Sequence, residues 1–279
     1  MSDDTAMSRR TEPERIVLDH VSKDFPTASG VLHAVEDVSF GLGEGQFVSL
    51  VGPSGCGKTT LLAIIAGFTR PTRGSVTLDG RPIIGPGPDR GVIFQEYAVF
   101  PWLDVHDNIA FGLTLRANRT APHERDAVVD RYLQLMGLKG FEAAYPKTLS
   151  GGMKQRVALA RAYAVNSPFL LMDEPFGALD AQTRSAMQDL LLEVLEQENK
   201  TVLFITHSVE EALYLSSRIV VITARPARIR HTVTVPFPYP RRQELHRAPE
   251  FLDLRDEVHA LVMREYAVQE RQRESGPSL

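Results

Sequence analysis

The stretch Gly52-Pro53-Ser54-Gly55-Cys56-Gly57-Lys58-Thr59-Thr60 joins flexible glycines to a lysine and two hydroxyls in the spacing G-x-x-x-x-G-K-[ST]. Glycine lets the backbone turn several N–H groups toward one point, which suits an anion. Lys58 can reach the β- and γ-phosphates of a nucleotide there, and the Thr59 hydroxyl can ligate Mg²⁺. Gln46 to Val51, just upstream, is a β-branched and aromatic run that predicts a short buried strand. Downstream, Leu61, Leu62, Ile64 and Ile65 predict a helix ending near Gly67. Strand, glycine loop and helix N-terminus together make a phosphate cradle. The motif specifies a nucleoside triphosphate without specifying the reaction.

Other polar residues sit where apolar strands should end. Phe169 to Met172 is continuously apolar and runs into Asp173-Glu174-Pro175, and packing alone is a poor explanation for two carboxylates there. Asp173 is expected to hold Mg²⁺ through its waters and Glu174 to polarise an attacking water. Gly91 to Phe94 delivers Gln95, and Thr201 to Thr206 delivers His207. Ligands of α/β sheets bind beyond the carboxyl ends of strands, so both residues are placed for a metal or a water. A second cradle is expected at Leu149-Ser150-Gly151-Gly152-Met153, with Ser150 as helix N-cap. One domain rarely needs two, so the second is assigned to a partner's nucleotide.

Around these residues, Arg15–Val21 and Val35–Leu42 alternate as half-buried antiparallel strands, with Gly30 expected in the turn between them. Phe25 in that hairpin either packs in the core or stacks on a purine. Gly74–Asp79 is a further strand before a Pro/Gly-rich loop. From Glu96 to about Val165 the period becomes helical, as for an inserted helical subdomain, with one helix over Ala121–Gly137. Tyr97, Phe100, Pro101 and Trp102 at its root are either an anchor or an exposed docking groove. Asp180 caps a helix reaching Asn199, Ser208-Val209-Glu210-Glu211 forms a capping box, and Arg218–Thr223 is the last buried strand. Beyond Ala224 the chain is Pro-rich and basic, with Arg225, Arg228, Arg230, Arg241 and Arg242 expected on a solvated face and a helix over Glu250–Arg273.

Composition sets bounds. At 279 residues and 43% hydrophobic the chain can bury a sizeable core. A net charge of −4 gives no global basic field to hold nucleic acid. No apolar run approaches the ~18 residues of a membrane span. Residues 1–14 lack an apolar h-region and are expected to be a disordered leader, not a signal peptide. The single cysteine fits a reducing cytosol. The histidines show no zinc-ligand spacing.

In order along the chain, the cradle at Gly52–Thr60, Gln95, Leu149–Met153, Phe169–Glu174, Ala178–Asp180 and His207 resemble the ATP-binding subunit of ABC transporters, over about Arg15 to Thr223. Met153 stands where glutamine is usual and Phe25 where tyrosine is. Phe94–Tyr97, Phe100–Trp102 and Arg225–Ile229 are similar to the nitrate, sulfonate and taurine importer subfamily. The resemblance implies an α/β P-loop NTPase core at 15–95 and 166–223, with a mainly parallel sheet and an N-terminal antiparallel β-subdomain, the helical insertion with the signature motif at 96–165, and a basic Pro-rich extension with a terminal helix at 224–279. It implies catalytic roles for Glu174, His207 and Gln95, and nucleotide contacts from Phe25, Gly52–Thr60, Ser150, Gly151, Gly152 and Asp180. Mg²⁺ would be held by Thr59, Gln95 and Asp173. It further implies a head-to-tail homodimer sandwiching two ATPs, with Ser150 and Gly152 of one copy on the γ-phosphate held by Lys58 of the other. Permease subunits, a periplasmic solute-binding protein and a peripheral position on the cytoplasmic face of the inner membrane follow from it. A soluble ABC ATPase of DNA or ribosomes is the alternative. Ribosome-type members usually carry two ATPase domains and DNA-repair members a long coiled coil, and this chain has one P-loop and no sustained heptads.

Overall fold

The computed structural model describes residues 14–28, 30–95, 98–118 and 120–275. Most of the polar leader (1–13) and Tyr97 lie outside them. The chain opens with antiparallel strands β1 (Glu14–Thr27) and β2 (Gly30–Gly43). Both run longer than their alternation predicts, because register shifts between Leu18 and Asp24 break the two-residue period. Gly30 is therefore not in the turn: it is the first residue of β2 and pairs with Thr27. β3 (Phe47–Val51) leads through the glycine loop into α1 (Lys58–Ile65), whose Leu61, Leu62, Ile64 and Ile65 are all buried. β4 (Arg73–Leu78), β5 (Arg81–Pro82) and β6 (Arg90–Ile93) follow. Next come α2 (Val105–Thr114), α3 (Pro122–Leu135) and α4 (Gly151–Ala164). Then β7 (Phe169–Asp173), α5 (Ala181–Gln197), β8 (Thr201–Thr206), α6 (Val209–Leu215) and β9 (Arg218–Ile222) alternate. β10 (Ile229–Thr234) and α7 (Pro249–Ser275) close the chain.

Among the described residues the strands form two sheets, ordered β2-β1-β4-β5 and β10-β9-β3-β8-β7-β6. In the second, β9, β3, β8, β7 and β6 are parallel, and β10 alone is antiparallel. The expected α/β class is thus the observed one. Both faces of the parallel strands are covered, which is why they read as unbroken apolar runs. On β7, Leu170 and Met172 pack with α2–α5 while Phe169 and Leu171 pack with α1 and the first sheet.

The segment after Ala224 departs from expectation. Arg241 is only 6% exposed. Its Nη1 donates to the carbonyls of Leu213, Tyr214 and Ser216 at 2.9–3.0 Å, satisfying the C-terminal end of α6. Arg228 pairs with Glu36 (2.8 Å) and Arg230 with Glu265 (3.5 Å). Arg241 is thus a buried stitch, while Arg225, Arg228, Arg230 and Arg242 are exposed as expected, Arg228 and Arg230 with acidic partners. α7 packs Phe251, Val258 and Val262 against Val209, Leu213, Ile219 and Val221. No helix among the described residues is long and apolar enough to cross a membrane.

Candidate active site

The register of the parallel sheet assembles the site. Val51 pairs with Thr206, Asp173 with Ile205, and Ile93 with Met172. The glycine loop, Glu174, His207 and Gln95 therefore all emerge from one edge, at the carboxyl ends of their strands.

The loop is packed so tightly that glycine is required. A Cβ at Gly52 would lie 2.7 Å from the Ile222 carbonyl, and one at Gly57 2.6 Å from that of Ala34. Gly57 also has φ +119°, a conformation closed to L side chains. Lys58 is buried, and its Nζ donates to the carbonyls of Gly52 (2.8 Å) and Pro53 (2.9 Å). Those bonds hold a buried ammonium in the mouth of the loop. Ser54, Gly55, Gly57, Lys58, Thr59 and Thr60 line a cleft of about 460 Å³ that Phe25, Gln95, Glu174 and Arg225 share. Phe25 is half-buried there, with Lys23 Nζ 5.0 Å above its ring.

Cys56 corrects a natural expectation. A thiol near a helix N-terminus should favour its thiolate. Here the side chain is fully buried, and burial pushes its pKa up against the opposing pull of Lys58. Desolvation outweighs the helix end, so only the Cys56 backbone can serve an anion.

Asp173 is buried, and its carboxylate is hydrogen-bonded to the Thr59 hydroxyl. Burial raises its pKa, with the Glu174 charge adding to the rise and Thr59 and Lys58 opposing it. Glu174 takes a left-handed backbone (φ +44°), held by its N–H on the Ile205 carbonyl (2.9 Å) and its own carbonyl under Gly177 N–H (3.1 Å). Non-glycine residues rarely adopt that conformation, and it turns the side chain out of the strand's line. Glu174 Oε2 lies 3.0 Å from His207 Nδ1.

His207 is held from behind by Thr206 and the expected cap residues Ser208 and Glu211. Thr206 Oγ1 donates to Glu211 (2.6 Å) and accepts from Ser208 N–H (3.0 Å), while Ser208 Oγ accepts from Glu211 N–H (3.2 Å). The capping box is therefore half built: the Glu211 carboxylate goes to Thr206 and not back to the cap.

Ser150, Gly151, Gly152 and Asp180 are not in this cleft. Ser150 caps α4 by accepting from Met153 N–H (3.3 Å), and Asp180 caps α5 by accepting from Thr183 N–H (3.0 Å). The two caps are neighbours, since a Cβ at Gly152 would lie 2.6 Å from Thr183 Cγ2.

A tight glycine loop between strand and helix, enclosing a buried lysine on an edge shared with an acid, has the form of a P-loop ATPase. Comparison with known proteins gives the family. The pattern described as ABC transporter matches residues 35–177, and the chain belongs to that family. A protein of Brucella abortus named as an ATP-binding protein is 50% identical over 229 residues, 82% of this chain and 87% of its own. The nitrate import ATP-binding protein NrtD of Synechococcus elongatus is 45% identical over 251 residues, covering 89% and 92%. The aliphatic sulfonates import ATP-binding protein SsuB of Bacillus cereus is 44% identical over 243, covering 87% and 94%. Among solved structures, the dimeric ATP-binding cassette MJ0796 in a post-hydrolysis state with ADP and Pi superposes with TM-score 0.70 at 30% identity, over 80% of this chain and all of that one.

Proposed function

We propose that this ABC ATPase is the motor subunit of an importer for a small oxyanion of the nitrate or sulfonate kind. It works as a head-to-tail homodimer on the cytoplasmic face of the inner membrane, docked to permease subunits that a periplasmic solute-binding protein supplies. The single observation that carries the dimer is the separation of the two cradles. Ser150 and Gly152 offer an anion site outside the cleft of Lys58, so a second copy is the natural source of the phosphate they meet. The names of the nitrate and sulfonate relatives support the cargo class.

In the cleft, loop N–H groups and Lys58 take the phosphates while Phe25 stacks on the base. The oxygen donors Thr59, Asp173 and Gln95 fit Mg²⁺, a hard ion that prefers oxygen ligands, and the Thr59–Asp173 hydrogen bond already places two of them together. Bound Mg²⁺ would neutralise phosphate charge. Glu174, oriented by His207, accepts the proton of a water attacking in line at the γ-phosphorus. With net charge −4, nucleic acid is an unsuitable partner.

Trp102 is 70% exposed and packs on Phe100, which in turn packs on Phe111 of α2. We read this aromatic surface as the permease dock, joined to the nucleotide through the short chain from Gln95. Trp102→Ala is expected to weaken assembly with membrane subunits by about 2 kcal/mol or more, the scale of an interface hot spot. Melting temperature and ATP affinity of the isolated subunit should stay unchanged. A large drop in melting temperature, or full assembly and transport in the variant, would refute the dock.

A further inference from the structure

The phosphate loop is gripped by the C-terminal part of the chain, by Arg225 from the rim of the cleft and by Gln269 from α7. Arg225 donates to the Gly55 carbonyl through Nε (3.1 Å) and Nη2 (2.7 Å). Gln269 Nε2, on α7, donates to the Ser54 carbonyl (2.9 Å). The Tyr266 hydroxyl, one turn earlier on α7, faces the Ser54 side chain and not its carbonyl.

These contacts fix more than the carbonyls. In a planar trans peptide the C=O and the following N–H point in opposite directions. Anchoring Ser54 O on one side therefore sends Gly55 N–H to the other, and anchoring Gly55 O does the same for Cys56 N–H. The Cys56 N–H so directed meets the Pro53 carbonyl within the loop (3.4 Å), which also receives Lys58 Nζ, and Gly55 N–H is the donor this leaves for the cradle. Bonds to the extension thus aim an inner N–H group at the cradle.

The grip has a rigid base. Ala227 is fully buried, donates its N–H to Ala34 O (3.0 Å) and accepts from Glu36 N–H (2.9 Å). A Cβ on Gly57 would come within 2.9 Å of Ala227 Cβ. Glu265 accepts from Ala224 N–H (3.2 Å) and pairs with Arg230. Segment 222–230 and α7 are thereby locked together, with their donors held against Ser54 and Gly55.

We propose that Arg225 and Gln269 are positioning residues for ATP: they hold the loop's carbonyls outward and so pre-form its donors for phosphate. This rests on the reading of Gly52–Thr60 as the cradle. Binding to a preorganised loop avoids an ordering cost that a free loop would bear at each nucleotide.

The test titrates the full chain with a fluorescent MgATP analogue and follows KM and kcat for hydrolysis and the melting temperature alongside. Arg225→Ala combined with Gln269→Ala should weaken nucleotide binding about tenfold, the combined scale of the lost hydrogen bonds. KM should rise in parallel while kcat and melting temperature stay close to the parent. Arg225→Lys with Gln269 intact, which keeps a donor near Gly55, should bind more tightly than Arg225→Ala. Phe251→Ala removes a core contact toward the opposite end of α7 from Gln269 and should lower the melting temperature while leaving affinity unchanged. Parental affinity in the double variant, with Lys58→Ala impaired, would overturn the clamp and leave the cradle standing. Affinity that falls only in step with melting temperature, as Phe251→Ala then would also show, would overturn it too. Parental affinity in Lys58→Ala itself would overturn the cradle and the clamp with it.

Discussion

At the start of α1 the backbone donors are walled in. Gly52 lies against Ile222, Gly57 against Ala34 and Ala227, and Lys58 is buried with its ammonium in the loop. At the start of α4, by contrast, Ser150 is exposed and its hydroxyl serves only its own helix, through Met153 N–H. Both are helix N-termini with glycines and both can attract an anion. The first encloses a buried lysine and, on the proposed reading, metal ligands and a general base within its own chain. The second has Lys154 on its helix, but that lysine is not enclosed in a glycine loop as Lys58 is. A phosphate site needs charge and enclosure as well as N–H groups, so the second cradle is half of a site.

Substitutions at each cradle can break that contrast. Glu174→Gln leaves the first cradle's donors in place and removes the acceptor for the water's proton. Turnover should fall roughly 10²–10⁴-fold while ATP still binds, as read by phosphate release and nucleotide titration. Near-parental turnover would remove Glu174 from the chemistry.

Asp173→Asn tests the electrostatics of the first cradle. Its folded pKa is raised, chiefly by burial. Below the unfolded pKa both states are protonated and the group is neutral to stability. As pH rises through the folded pKa, the folded state bears the cost of a buried charge, and above it that cost is complete. The variant should therefore melt higher than the parent at neutral pH without Mg²⁺, and the gain should vanish as pH falls toward the unfolded pKa. A variant that melts lower at neutral pH would contradict this.

The smallest effect belongs to the second cradle. Ser150→Ala loses one helix cap, worth about 1 kcal/mol, and should lower the melting temperature by a few degrees with ATP affinity unchanged. Weakened ATP binding by the isolated chain would mean that the two cradles share one phosphate within a subunit.

Much of the first cradle was legible because its chemistry is local. The motif, the strand before it and the helix after it lie within twenty residues, and the apolar runs of β7 and β8 point to Glu174 and His207. The clamp was not legible, because Arg225 and Gln269 meet the loop across 170 and 215 residues of chain. Arg241 reads as a surface cation in any window, and only the fold reveals the carbonyls of α6 around it. β10 was missed because half-exposed, polar Ile229–Thr234 carries little apolar signal. At Cys56 the helix end favours the thiolate, but burial, invisible in the sequence, has the larger effect on its thiol.

The central claim is that Ser150 completes a site on another copy. Light scattering of the Glu174→Gln chain with MgATP tests it most directly, with and without Ser150→Asp. Aspartate preserves the cap of α4 but sets a negative charge where the γ-phosphate should arrive. With MgATP the Glu174→Gln chain should double from 31.0 kDa. Adding Ser150→Asp should hold it at the single-chain mass with ATP affinity intact. A dimer that persists with Ser150→Asp would contradict the account.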